Sequence, residues 1–175
     1  LKEWYEKEER FHGAMNGLLK TFDHIVFSTE FQQALYEKAY RALPLHNVIE
    51  NALPGGMPFH HAKHVPFKLL FLGRFVPFKN IGSLLCAVKN LPDTTLTIVG
   101  DGPLLTAIRK TIRKLQLGDR VEVLPPQRGD AKKAAFRGHD LMVLPSYTDI
   151  SPNAALEARC EGLPVLLTNE NGLSR

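Results

Sequence analysis

Cysteine is scarce: Cys86 and Cys160 are the only two in 175 residues. Both fall within apolar helical patterns, which predicts buried thiols of a reducing compartment and excludes a disulfide framework. No apolar run approaches the ~18 residues needed to span a bilayer, and residues 1–20 are too charged for a secretory signal. A cytoplasmic location is therefore the default expectation, and it is compatible with peripheral contact at a membrane surface. A dominant charge of one sign is also missing. Lys+Arg minus Asp+Glu is 22 − 18 = +4, an excess that permits anionic ligands without demanding nucleic acid. The one dense basic patch, Arg109, Lys110, Arg113 and Lys114, falls on a predicted helix and reads as a solvated face. No internal repeat, low-complexity tract, Ser-His-Asp or Cys-His arrangement is assignable. His60, His61 and His64 lie in a breaker-rich stretch without neighbouring carboxylates or thiolates, so no metal site is expected. His139, beside Asp140 at a strand start, reads as structural.

What is present is a regular alternation. The apolar fraction of 44% is ample for a core, and the length suits one domain, or one domain with part of another. From residue 67 the pattern predicts strands over 68–73, 94–100, 121–124, 140–144 and 164–168. Helices separate them, one marked by Ile81, Leu84, Leu85 and Val88. A second, marked by Leu104, Leu105, Ile108, Ile112 and Leu115, closes at Gly118. A third covers about 130–138, with Asp130 as its cap, and a fourth covers 152–161. Strands joined by helical crossovers imply a parallel sheet with helices on both faces. Before residue 67 the pattern differs: helix over 3–20, strand over 23–28, helix over 30–42, a short strand over 47–50, and a linker over 54–66.

Ligands of such sheets bind beyond the carboxyl ends of the strands, which directs attention to 73–80, 100–103, 125–129, 145–152 and 169–173. Gly73 ends a strand, Arg74 follows it, and Lys79 stands near the next helix start, a pair of cations able to neutralise a diphosphate from two sides. Gly100 and Gly102 flank Asp101 before Pro103. This lacks the spacing of a dinucleotide fingerprint and reads as a tight turn, with glycine allowing close approach at a pocket floor. Ser151 and Pro152 read as the cap and first residue of a helix, whose free N–H groups favour phosphate or carboxylate. Asp149 and Glu157 bracket that junction and could accept hydroxyls of a sugar or ribose. Read without further context, Asp149 caps locally and Glu157 pairs with a surface cation.

Six motifs occur in order: Gly73-Arg74-(x4)-Lys79; the run 98–103; the run 117–121; Leu144-Pro145-Ser146; Asp149-(x7)-Glu157; and Gly162-Leu163-Pro164-Val165. Together they resemble the donor-binding half of retaining, family-4 type glycosyltransferases of two-domain GT-B architecture, strongly over 67–175 and weakly over 23–54. The resemblance implies an α/β, Rossmann-like half of a GT-B fold truncated at its C-terminus. It implies the end of an acceptor domain over 1–53, a linker over 54–66, and an incomplete donor domain over 67–175. It implies transfer of a sugar from a UDP- or GDP-linked donor with retention and no cofactor or metal. The acceptor would be a glycan, a lipid-linked sugar or a small molecule, and no nucleic acid partner is implied. Arg74 and Lys79 would stabilise the leaving diphosphate, and Asp149 would contact the donor sugar. The segment 123–125, with Leu124, would lie against the base, the backbone amides at about 151–153 (those of Ser151 and Asn153, around Pro152) would meet phosphate, and Glu157 would bind ribose. The chain departs from the family at Asp149 and Ile150, where Glu and Gly are usual, and at Asn80, where Gly is common. With most of the acceptor domain missing, residues 1–175 alone are expected to bind donor weakly or not at all and to transfer nothing. A sugar-nucleotide epimerase or hydrolase on the same scaffold, or a binding module without catalysis, are the alternatives.

Overall fold

The order of apolar runs becomes the order of strands. The computed structural model describes residues 9–40, 42–50, 56–58, 64–169 and 171–173. The chain divides into two compact units: Leu1–Ala52 with Thr148–Pro152 and Glu170–Arg175, and Leu53–Tyr147 with Asn153–Asn169. Among the described residues no helix is long and apolar enough to cross a membrane.

The first unit contains α1 (Glu9–Leu19), β1 (His24–Phe27), α2 (Glu30–Ala39) and β2 (Leu45–Val48). β2 lies two residues earlier than its apolar run predicts, in parallel register with β1, His24 opposite Leu45 and Phe27 opposite Val48. Phe27 is buried and packs against the Tyr36 ring of α2. α2 starts where it does because the Thr29 hydroxyl accepts from the Gln32 amide, satisfying an N–H the helix itself leaves over. The same hydroxyl donates to the Ile150 carbonyl at 3.0 Å, which holds the segment 148–152 in this unit.

The second unit contains β3 (Phe67–Leu72), a 3-10 turn (Pro77–Lys79), α3 (Ile81–Lys89), β4 (Thr94–Val99), α4 (Leu105–Lys114) and β5 (Val121–Leu124). It continues through α5 (Gly129–Arg137), β6 (Leu141–Leu144), α6 (Asn153–Cys160) and β7 (Val165–Leu167). The five strands are all parallel, in the order β5-β4-β3-β6-β7. The expected parallel sheet covered by helices is therefore present. The central strand β3 is a continuous apolar run because both its faces are covered. Leu70 and Phe71 are fully buried there, with Leu85, Val88, Ile98 and Met142 around them. Right-handed crossovers place α3 and α4 on one face of the sheet, and the reversal of strand order after β5 sends α5 to the other.

Several local expectations are corrected. α4 ends at Lys114, and Gln116 rather than Gly118 adopts the left-handed turn, with φ 56. The Leu117 amide then closes back onto the Ile112 carbonyl, so the geometry of the turn rather than the nearest glycine sets the helix end. α5 begins at Gly129 with Arg128 in the capping position, and Asp130 sits inside the first turn, where its charge suits the helix dipole. Pro103 lies in a turn closed by the Leu105 amide on the Gly102 carbonyl, and α4 starts only at Leu105. α6 starts at Asn153, one residue after Pro152. Cys86 is exposed and Cys160 half-buried, because α3 and α6 turn those positions away from the sheet. Asn80 takes φ 53, a conformation easy for glycine and next most accessible to Asn.

Candidate functional site

At the carboxyl edge of the sheet, glycines let two backbones meet. Gly100 has φ 149, and a Cβ added there would stand 1.9 Å from the Gly73 carbonyl oxygen. Gly102 has φ 154, and its Cβ would stand 2.7 Å from both the amide nitrogen and the carbonyl oxygen of Phe75. The Phe75 amide donates to the Asp101 carbonyl, the Leu104 amide to the Phe75 carbonyl, and the Gly73 amide to the Val99 carbonyl. Asp101 turns its carboxylate onto the Gly102 amide at 2.7 Å. Phe75, fully buried, plugs the space below. Without side chains at 100 and 102, the loops after β3 and β4 lie against each other as one wall.

A cavity of about 430 Å³ opens over this wall, lined by Leu72, Gly73, Arg74, Val99, Gly100, Asp101, Gly102, Pro126 and Gln127. Four of the residues singled out from sequence, Gly73, Arg74, Gly100 and Gly102, are thus brought together. Lys79 ends the 3-10 turn, and its Cε is 4.0 Å from the position of a Cβ on Gly73, so its stem runs beside the same loop. Its ammonium stands 5.5 Å from the centre of the Phe78 ring. The Tyr147 amide donates to the Phe78 carbonyl and ties the turn to the chain leaving β6.

Leu124, the last residue of β5, contributes its carbonyl to the Gly100 amide at 3.1 Å. The cavity wall after β5 is made by Pro126 and Gln127, which the sequence reading did not single out. The signal was the pair of prolines ending the strand on the ligand edge. Gln127 donates to the Pro125 carbonyl, which fixes its amide against the loop.

Asn153 opens α6, and Glu157 lies one turn further along it. The Glu157 carboxylate pairs with the Lys132 ammonium of α5. The pairing with a surface cation, the plain reading of that residue, is what the structure shows. Asp149, Ser151 and Pro152 belong to the first unit. There the Asp149 carbonyl accepts from the Gly172 amide, and Asp149 bridges Asn171 in parallel pairing. Gly172 is required beside them, since a Cβ would stand 2.1 Å from the Ile150 carbonyl oxygen.

The titratable cluster at the opposite, amino edge of the sheet is structural. The Asp140 carboxylate accepts from the Lys68 amide at 2.8 Å, the His64 amide at 3.2 Å and the His64 ring at 2.9 Å. Burial raises the Asp140 pKa, but the bonds from Lys68 and His64 outweigh it and hold the group below the ordinary carboxylate value. His139 bonds the Ala135 carbonyl and the Thr97 hydroxyl, and burial depresses its pKa. Among the described residues no three His, Cys, Asp or Glu side chains converge as a metal site. His60 and His61 lie outside those residues.

The family model for glycosyl transferases group 1 matches residues 57–175. The D-inositol 3-phosphate glycosyltransferase of Mycobacteroides abscessus is 34% identical over 110 residues, 59% of this chain and 24% of that protein. The enzyme of the same name from Pseudarthrobacter chlorophenolicus is 36% identical over 117 residues, covering 62% and 28%. The chain spans about a quarter of the length of these curated relatives. Among solved structures, Anabaena Alr3699/HepE in complex with UDP and glucose superposes with a TM-score of 0.77 at 20% identity, covering 95% of this chain and 50% of that one. Sucrose-phosphate synthase from Thermosynechococcus elongatus gives 0.76 at 22% identity, covering 95% and 45%.

Proposed function

We propose, from the premise that the chain belongs to the glycosyl transferases group 1 family, that its second unit binds the nucleotide-diphosphate sugar of a retaining glycosyltransferase of GT-B architecture. One observation carries the reading: Arg74 lines a cavity on the carboxyl edge of a parallel sheet, over a wall of backbone that Gly100 and Gly102 keep bare. A diphosphate needs fixed cations and close backbone approach, and both are supplied at one place.

In the reaction, the bond from the sugar C1 to the diphosphate oxygen breaks and a bond to an acceptor hydroxyl oxygen forms on the same face. The hydroxyl proton leaves with the departing diphosphate. Arg74 and Lys79 would stabilise the charge that develops on that leaving group, which is electrostatic rather than covalent catalysis. Pro126 and Gln127, with Leu124 behind them, would flank the base. The Ser151 and Asn153 amides, on either side of Pro152, would donate to phosphate, and Glu157 would exchange Lys132 for ribose hydroxyls. Asp149 would contact the donor sugar. In this reading residues 1–53 are the end of an acceptor domain, 54–66 a linker and 67–175 the donor domain. The donor is UDP- or GDP-linked, and the acceptor is a glycan, a lipid-linked sugar or a small molecule. UDP is the nucleotide held by the superposed HepE.

Titration of the chain with UDP and GDP by ligand-observed NMR, which registers weak binding, tests the donor site. Loss of a charge-assisted contact of about 1.5–3 kcal/mol predicts a roughly 10- to 100-fold weaker affinity for Arg74→Ala. If Arg74→Ala binds both nucleotides as the parent does, the cavity is not the diphosphate site.

A further inference from the structure

The helical layer formed by α3 and α4 carries cations and no acid. The two helices pack against each other, and neither contains Asp or Glu. Lys89, Arg109, Lys110, Arg113 and Lys114 are all exposed. None of their side chains has an ion pair or hydrogen bond with another described residue. At 3.6 residues per turn, the four cations of α4 fall within an arc of about 140°. Ile108 and Ile112, buried against the sheet, occupy the opposite side.

Two ordinary explanations fall short. Cations near a helix C-terminus offset its dipole, which accounts for Lys89, Arg113 and Lys114 but not for Arg109 and Lys110, which lie a turn earlier. A face built only for solubility mixes both signs, and the helices α5 and α6 do so: Lys132 of α5 pairs with Glu157 of α6, and Arg137 of α5 with Glu161 just past the end of α6. Asp130 and Glu157 stand among the cations of α5 and α6, whereas α3 and α4 carry cations alone.

We propose that this layer is a docking surface for a membrane rich in anionic phospholipid. The surface is a pair of packed helices rather than a groove, which suits a plane of headgroup phosphates. Neither helix contains an aromatic residue, so single-stranded nucleic acid would find no stacking platform. The apolar side of α4 is committed to the core, so adsorption is electrostatic and shallow, without insertion. Both helices run antiparallel to the strands, which puts the charges of their last turns at the amino edge of the sheet. The cavity at the carboxyl edge stays open while this face is occupied.

Cosedimentation of the full chain with phosphatidylcholine vesicles, with and without phosphatidylglycerol, provides the test. Binding is expected only to the anionic vesicles and is expected to fall steeply with salt. Each charge removed lowers partitioning about fivefold. The double variant Lys110→Gln/Lys114→Gln should therefore lose on the order of 25-fold, and the variant that adds Arg109→Gln and Arg113→Gln several hundredfold. Arg109→Lys/Arg113→Lys, which keeps the charge, should bind as the parent does. Equal binding to uncharged vesicles overturns the proposal, as does unchanged binding by the double variant. Binding to a DNA duplex with no binding to anionic vesicles also overturns it and assigns the face to nucleic acid.

Discussion

Replacing Gly100 by alanine tests whether the wall under the cavity depends on backbone contact. The new methyl carbon would stand 1.9 Å from the Gly73 carbonyl oxygen and 3.0 Å from Cε1 of the Phe75 ring. The first contact involves backbone at the end of the central strand, so no rotamer change relieves it. Holding a non-glycine residue at φ 149 costs on the order of 1–3 kcal/mol, and forcing packed atoms apart about 1–3 kcal/mol more. The expected loss is about 2–6 kcal/mol, a large share of the ~5–15 kcal/mol that holds a domain folded. Gly73 and Gly100 both line the cavity, so any relaxation that accommodates the methyl also deforms the site, and nucleotide affinity should fall with stability. Gly82 in α3 is the control. Nothing lies within 4 Å of an added Cβ there, and Gly82→Ala should stabilise by up to about 0.5–1 kcal/mol through lower unfolded-state entropy. Urea unfolding of the two variants beside the parent gives both numbers. A Gly100→Ala variant within about 0.5 kcal/mol of the parent would refute the close-approach argument.

Three further outcomes follow from particular contacts. Arg120 donates from one guanidinium nitrogen to the Val88 carbonyl at 3.0 Å and the Leu91 carbonyl at 2.7 Å. Arg120→Ala should therefore cost about 1.5–3 kcal/mol in urea unfolding, and a change near zero would mean that water satisfies those carbonyls equally well. Thr29→Ala removes both the cap of α2 and the bond to Ile150, for about 1–2 kcal/mol. Hydrogen exchange should show faster opening of both 30–39 and 148–152, and an effect confined to α2 would show that the second bond does not hold the loop. His139 has its pKa depressed by burial, so the unfolded chain binds more protons than the native one below the ordinary histidine value. Stability should thus fall as pH drops through about 6.5, with the slope reduced in His139→Asn; an unchanged slope would remove His139 as the cause.

Much of the second unit was legible in the sequence, and the reasons are local. The apolar run at 67–72 and the alternation at 94–99 are written in side chains, and the intervening helices show their buried stripe at Ile81, Leu84, Leu85 and Val88. The errors fell where a single backbone angle or a distant carbonyl decides. Gln116 ends α4 in place of Gly118 because the turn there is set by the bond from Leu117 to Ile112. Cys86 is exposed because helix phase, not the apolar character of its neighbours, fixes which way it faces.

For the candidate site the division is similar. Arg74, Gly73, Gly100 and Gly102 stand out because a parallel sheet offers its carboxyl edge, and charge and glycine after those strands are visible in the chain itself. The meeting of the loops after β3 and β4 at the Gly73 carbonyl, the share of Pro126 and Gln127 in the cavity, and the pairing of Glu157 with Lys132 were decided only by tertiary structure. Each depends on atoms far apart in sequence, and spacing along one chain carries no record of which of them come within contact distance. Sequence periodicity specifies which residues face a core, and only packing specifies what they face.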